Sequence, residues 1–251
     1  MPTRCPRSGE RGPARDRLAH VPLPGEGARG PAVRRMFERI APRYDLLNRV
    51  LALRTDVCWR RRLVAVLDLP AEARVLDLCA GTLDVAAEIR RQRPAACVVG
   101  ADFARGMLQR GRAKTGLPVA QADALALPFA ADAFDAVTVA FGLRNLESPA
   151  RGLAEIARVL RPGGRVGVLE LFRPAGAFAR VVHALYNRGF VPLVGRTVSR
   201  DPAAYRYLVD SIDAFSSVAE FTALLAQSGF VSVERRSVWP GISSVVVARL
   251  P

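Results

Sequence analysis

Asp77, Asp84 and Asp102 are the acids whose spacing most suggests chemistry. Residues 75–84 read Val-Leu-Asp-Leu-Cys-Ala-Gly-Thr-Leu-Asp, and a second apolar run, Val98-Val99-Gly100-Ala101, ends in Asp102 eighteen residues after Asp84. An apolar run closed by an acid, a tight turn and a helix start together make a βαβ unit of the kind that holds nucleosides. The turn at Gly81 and Thr82 lets backbone approach a ligand. A carboxylate at Asp102 can accept hydrogen bonds from both hydroxyls of a ribose, or it can cap the helix that follows. Farther on, Asp123 with Ala124 follows a third run, where an acid could accept from an adenine amino group. Arg144 and Asn145 follow a fourth run and Glu170 a fifth.

The elements that must position these residues alternate. Strands are expected at 73–78, 96–102, 117–121, 134–140 and 165–171, with helices at 82–92, 103–113 and 149–160. Pro162-Gly163-Gly164 is read as the turn into the fifth strand. Strands alternating with helices form a doubly wound α/β fold, a mostly parallel sheet covered on both faces. A helix at 217–228 and strands at 231–238 and 243–249, joined by Pro240-Gly241, end the chain in a hairpin whose last strand is antiparallel, giving seven strands in all. Before the first strand, two helical stretches cover 33–53 and 55–68, the first kinked by Pro42. A helical insertion rich in arginine and aromatics covers 173–213. Residues 1–32 hold six Pro, five Gly and six Arg. They are read as a disordered tail ahead of one domain spanning 33–251.

A pyrophosphate site needs three glycines in G-x-G-x-x-G, and only Gly81 stands in the corresponding stretch, so a dinucleotide is disfavoured. The 251 residues carry a formal charge of +14, and 36 of the 37 basic residues are arginine, Lys114 being the lone lysine. Such a balance favours an anionic partner, nucleic acid or an acidic membrane surface. Cys5, Cys58, Cys79 and Cys97 lack C-x-x-C spacing and only two histidines are present, so no metal site is expected. No apolar run reaches the about 20 residues of a membrane span, and no signal peptide is recognised. The expectation is a cytoplasmic protein.

The pattern apolar-Asp-x-x-x-Gly-Thr-x-Asp resembles the first motif of class I S-adenosylmethionine-dependent methyltransferases. The likeness then narrows. Residues 36–48 (Met-Phe-Glu-Arg-Ile-Ala-Pro-Arg-Tyr-Asp-Leu-Leu-Asn), Phe141-Gly142-Leu143-Arg144-Asn145, the turn 158–164 with Glu170, and Ala204-Tyr205-Arg206-Tyr207-Leu208 before Ser211-Ile212 resemble the demethylmenaquinone/ubiquinone C-methyltransferases over about 33–248. The resemblance implies a Rossmann-like methyltransferase fold and S-adenosyl-L-methionine as cofactor, bound by Asp77, Gly81, Thr82, Asp102, Asp123 and Ala124. Asp84 would lie near its methionine end. Arg144 and Asn145 are the implied catalytic residues, and Tyr44, Asn48, Tyr205 and Tyr207 would line the substrate side.

The implied reaction methylates a ring carbon of a reduced polyprenyl quinone, demethylmenaquinol or the benzoquinol of the ubiquinone pathway. The substrate is membrane-soluble, and residues 34–62 hold nine arginines against three acids, so transient contact with an anionic membrane is expected. Nucleic acid is disfavoured, because neither an (Asp/Asn)-Pro-Pro-aromatic stretch nor a Pro-Cys nucleophile occurs in the expected places. The oligomeric state is left open. The general base is also open among solvent, Tyr205 and Glu170.

The sequence departs from the family's pattern at Asp56, where histidine is common, and at Ala140 and Phe172, where small polar residues are usual. It also departs at Leu83, where glycine is usual. A leucine with positive φ would be strained by about 1–2 kcal/mol. Because 84–89 sustain a helix, Leu83 is expected to open that helix, with its side chain in the core. The alternative to an enzyme is a cofactor-binding or assembly protein that has lost turnover through Leu83.

Overall fold

The computed structural model describes residues 29–174, 176, 181, 202–238 and 243–251. Helices α1 (Arg29–Ile40), α2 (Tyr44–Leu51) and α3 (Thr55–Leu67) come first. The break at Pro42 is a single 3-10 turn over Ala41–Arg43, as the missing proline donor demands. Strands β1 (Arg74–Leu78), β2 (Cys97–Asp102), β3 (Val119–Gln121), β4 (Phe134–Ala140) and β5 (Leu160–Glu170) alternate with helices α4 (Asp84–Gln92), α5 (Arg105–Thr115) and α6 (Pro149–Val159). Helices α7 (Pro202–Ala214) and α8 (Val218–Gln227) precede β6 (Val231–Val238) and β7 (Ser243–Arg249).

The seven strands run in the order β3-β2-β1-β4-β5-β7-β6. All neighbours through β5 are parallel, and β7 is antiparallel to both β5 and β6. Alternate residues feed two cores. Leu76 and Leu78 of β1 meet Leu153, Ile156 and Phe221 of the α6 and α8 layer. Val75 faces the other way, onto Leu63, Leu67 and Ile89 of α3 and α4. Ser148 caps α6 by accepting from Arg151 N–H, and Ser217 with Glu220 forms a reciprocal capping box on α8.

Two boundaries differ from the sequence reading. Helix α1 starts at Arg29, four residues inside the segment read as tail, because Arg29, Val33 and Met36 share one buried helical face. Strand β5 begins at Leu160 and passes through Pro162-Gly163-Gly164. Gly163 has φ +77° there, and the pairing with β4 shifts register between Phe134 and Ala136, so this stretch is a bulge in the strand. Residues 1–28, most of the expected insertion over 173–213, and the Pro240-Gly241 turn lie outside the described residues.

Candidate active site

The sheet order reverses between β1 and β4, which places a crevice at their carboxyl ends. The turn after β1 has an alternating backbone. Cys79, Gly81 and Leu83 take φ values of +54°, +52° and +65°. Leu83 is therefore left-handed and caps α4 without entering its first turn. Its side chain is nevertheless in the core, fully buried. Room for it comes from two glycines: a Cβ on Gly100 would stand 2.1 Å from Leu83 Cδ2, and one on Gly111 2.6 Å from its Cγ. Burial of the leucine, worth about 1.5–3 kcal/mol, offsets its backbone strain.

A cavity of about 790 Å³ opens above this turn, lined by Gly81, Asp102, Asp123, Ala124, Phe141 and Asn145 among others, with α1 along one wall. Asp102 is buried and accepts from Gly81 N–H at 2.9 Å and Ala104 N–H at 2.8 Å. The carboxylate does not cap α5, whose N-cap is Ala104 without a side-chain cap bond, and each of its oxygens keeps a further lone pair for a ligand. Burial pushes its pKa up to about 6, against the pull of those N–H groups. Asp123 is exposed and accepts from Leu125 N–H at 2.9 Å.

Three of the acids and hydroxyls expected here point elsewhere. Asp77 does not line the cavity. It accepts from Ala86 N–H at 3.0 Å and the Thr138 hydroxyl at 2.8 Å, tying β1 to α4 and β4, and burial pushes its pKa up to about 7. The Thr82 hydroxyl donates to Asp45 at 2.5 Å. Asp84 meets Lys114 at 2.6 Å and Arg60 at 3.5 Å. Lys114 also meets Asp45 at 3.0 Å, so a small ionic web fastens α2 to the glycine turn and to α5.

A second cavity of about 120 Å³ adjoins the first, and Phe37, Tyr44, Phe141 and Asn145 line both. Its other walls include Asn48, Trp59, Arg144 and Tyr207. Trp59 leans on Phe141 with ring centroids 6.2 Å apart. Arg144 is buried, donates to Glu170 at 2.5 Å and to the Phe141 carbonyl at 2.8 Å, and its Nε has no partner among the described residues. Burial raises the Glu170 pKa while Arg144 opposes the shift.

Asn145 donates to the Phe141 carbonyl at 3.0 Å and accepts from the Tyr207 hydroxyl at 3.1 Å. Tyr44 is hydrogen-bonded to Asn48, and burial pushes its hydroxyl up, as it does that of Tyr207. Tyr205 lies in α7, but its side chain is outside the described ones. Of the departures, Asp56 pairs with Arg60 at 2.5 Å and Phe172 packs on Phe215 and Phe221 in the core.

Residues not anticipated at the site are Asp45, which holds Thr82, and Arg29, which donates to Tyr207 and to the Arg144 carbonyl. The spacing of Arg29 with Val33 and Met36 was the available signal for the second.

The model of the ubiE/COQ5 methyltransferase family matches residues 26–249. The chain belongs to that family. A demethylmenaquinone methyltransferase from Thermus thermophilus is 46% identical over 222 residues, covering 86% of this chain and 100% of its own. The ubiquinone/menaquinone biosynthesis C-methyltransferase UbiE of Geobacter sulfurreducens is 42% identical over 225 residues, covering 86% and 88%. A SAM-dependent methyltransferase from Thermotoga maritima aligns with a TM-score of 0.65 at 19% identity, over 86% of this chain and 99% of that one, which establishes the shared fold. This ubiE/COQ5-type methyltransferase keeps the bulk of Leu83 out of its cavity, so the reading of that residue as the mark of an inactive binder loses its ground.

Proposed function

We propose that this methyltransferase adds a methyl group to a ring carbon of a reduced polyprenyl quinone, with demethylmenaquinol first and the ubiquinone-pathway benzoquinol second. The observation that carries the reading is the buried Arg144 behind a small aromatic pocket that meets the larger cavity at Tyr44 and Asn145. When bound, S-adenosylmethionine supplies an electrophilic methyl group on a sulfonium. Gly81, Asp102, Asp123 and Ala124 would hold it. The fit rests on the spare lone pairs of Asp102 and on Gly81, whose left-handed backbone at φ +52° lies in the cavity wall.

A ring carbon becomes a competent nucleophile once an adjacent phenol ionises. The Arg144 guanidinium favours that phenolate, because a nearby cation lowers a phenol pKa. It cannot itself take the proton. Glu170 is engaged with Arg144, and burial keeps Tyr44 and Tyr207 protonated. The phenolic proton goes to a water reached through the larger cavity, and Asn145 orients the oxygen. Phe37, Trp59 and Phe141 fix the ring, a positioning contribution. The test is methyl transfer from labelled cofactor to each of the two reduced quinones. Label in menaquinone is expected, and no transfer to either substrate would reject the reading.

Among the described residues no helix is long and apolar enough to cross a membrane. A peripheral contact is supported by Leu46 and Leu53, 54% and 71% exposed on and just after α2, with Arg43, Arg49 and Arg54 beside them in sequence. Each basic side chain at an anionic surface contributes about 1 kcal/mol. Flotation with anionic but not neutral liposomes is the expected result.

A further inference from the structure

Arg29 belongs to none of the motifs, yet it is the bulkiest fully buried side chain among the described residues. It lines neither cavity. One nitrogen, Nη2, uses its two hydrogens on two different elements. It donates to the Arg144 carbonyl at 2.5 Å and to the Tyr207 hydroxyl at 3.1 Å. The guanidinium carbon also stands 5.8 Å from the centroid of the Tyr207 ring, within cation–π range.

The consequence is one of direction. A guanidinium can only donate. The Tyr207 oxygen must therefore accept from Arg29, and its single proton is left to go to Asn145 Oδ1, 3.1 Å away. With its oxygen so engaged, the Asn145 amide must present its nitrogen to the Phe141 carbonyl at 3.0 Å. That carbonyl also receives Arg144 Nη1 at 2.8 Å. If Arg29 were replaced by a group that can accept, Tyr207 could reverse, and the amide could flip with it. The same guanidinium grips the 143–145 turn a second time through the Arg144 carbonyl.

We propose that Arg29 is a positioning residue for the methyl transfer: it sets the direction of the Tyr207–Asn145 hydrogen-bond chain and clamps the turn that carries Arg144 and Asn145. The proposal rests on the reading that these two residues face the substrate ring.

The test uses the full chain with Arg29→Met, Arg29→Lys, Tyr207→Phe and the Arg29→Met/Tyr207→Phe double variant. The first readout needs no substrate. Amide exchange is followed at Asn145 and Leu146, whose N–H groups bond to the Gly142 and Leu143 carbonyls. Arg29→Met should speed exchange there by at least about tenfold while β1 and β2 keep their protection. The second readout is turnover. Arg29→Met should lower kcat by at least about 30-fold with cofactor KM changed less than about threefold, and Arg29→Lys, also donor-only, should recover most of the loss. The double variant should be no slower than Arg29→Met alone, because both act on one chain of bonds. Should Arg29→Met fail to fold, Arg29→Gln, which can accept from Tyr207, is expected to show the same exchange and kcat defects.

Unchanged exchange at Asn145 and Leu146 would overturn the proposal. So would Arg29→Lys being as slow as the methionine variant, or losses that multiply in the double variant. A wild type that transfers no methyl group would instead reject the quinol reading and leave the exchange result to stand by itself.

Discussion

Two turns meet at the centre of this molecule and are held by opposite means. The turn after β1, residues 79–83, is shaped chiefly by backbone and packing, with one hydrogen bond to Asp102 and one to Asp45 tying it to β2 and α2. Three of its five residues are left-handed, and Leu83 locks it into the core against Gly100 and Gly111, all within 33 positions of one another. The turn after β4, residues 141–145, is held by side-chain hydrogen bonds from α1, α7 and β5, up to 115 positions away. They touch where a Cβ on Gly142 would come within 2.4 Å of Cys79 Cβ. A turn fixed by packing fails gradually as volume is added or removed. One fixed by buried charge fails when a single partner goes, because the other is left uncompensated.

Breaking the second turn should have the largest effect. Arg144→Ala leaves Glu170 buried without its cation and should cost about 3–5 kcal/mol of stability by denaturant titration. Arg144→Lys keeps charge but not the planar fork, so turnover should fall by about 100-fold or more while S-adenosylhomocysteine binding changes little. Loss of cofactor binding with turnover preserved would reverse the assignment. Next in size is Asp102→Ala, which should weaken S-adenosylhomocysteine binding by about 1.5–3 kcal/mol in calorimetric titration. Unchanged affinity would remove Asp102 from the ribose.

The first turn should respond more mildly. Leu83→Gly removes a buried side chain worth about 2–5 kcal/mol and relieves about 1–2 kcal/mol of backbone strain, a net loss of about 0–4 kcal/mol. Because Leu83 does not line the cavity, cofactor affinity should stay within about threefold. Gly100→Ala, overpacked against the leucine, should cost about 1–3 kcal/mol alone and much less in the Leu83→Gly background. Additive losses would show that Gly100 and Leu83 are not coupled.

The smallest effect is one of pH. Asp102, with its pKa pushed up to about 6, is ionised above that value and protonated below it. Only the carboxylate accepts from two hydroxyls at full strength, so affinity should fall by at most about tenfold per unit as pH drops below about 6. Asp102→Asn should abolish this dependence.

The same contrast governs what could be read from the chain. Strands β1, β2 and β4 are apolar runs with turns behind them, and the Gly81–Asp102 unit is local, so both were legible. Leu83 was misread because its helix propensity is outweighed by two distant glycines that accept its side chain. Asp77 ends its strand like a ligand-facing acid, but Thr138, its register partner on β4, draws the carboxylate into the sheet. Arg29 looked like tail because what it holds lies more than a hundred residues downstream.

Lys114 carries the chain's single ε-amine, and both of its carboxylate partners belong to the web that fastens α2 over the glycine turn. Apart from the α-amino group, reagents that consume primary amines have nothing else to attack. Coupling to an amine-reactive bead or dye would therefore divide between that group and this fastening instead of scattering over the surface. Acylation would erase the cation there, whereas reductive methylation would preserve it. A paired labelling of this kind makes one lysine a gauge of how firmly the cover sits.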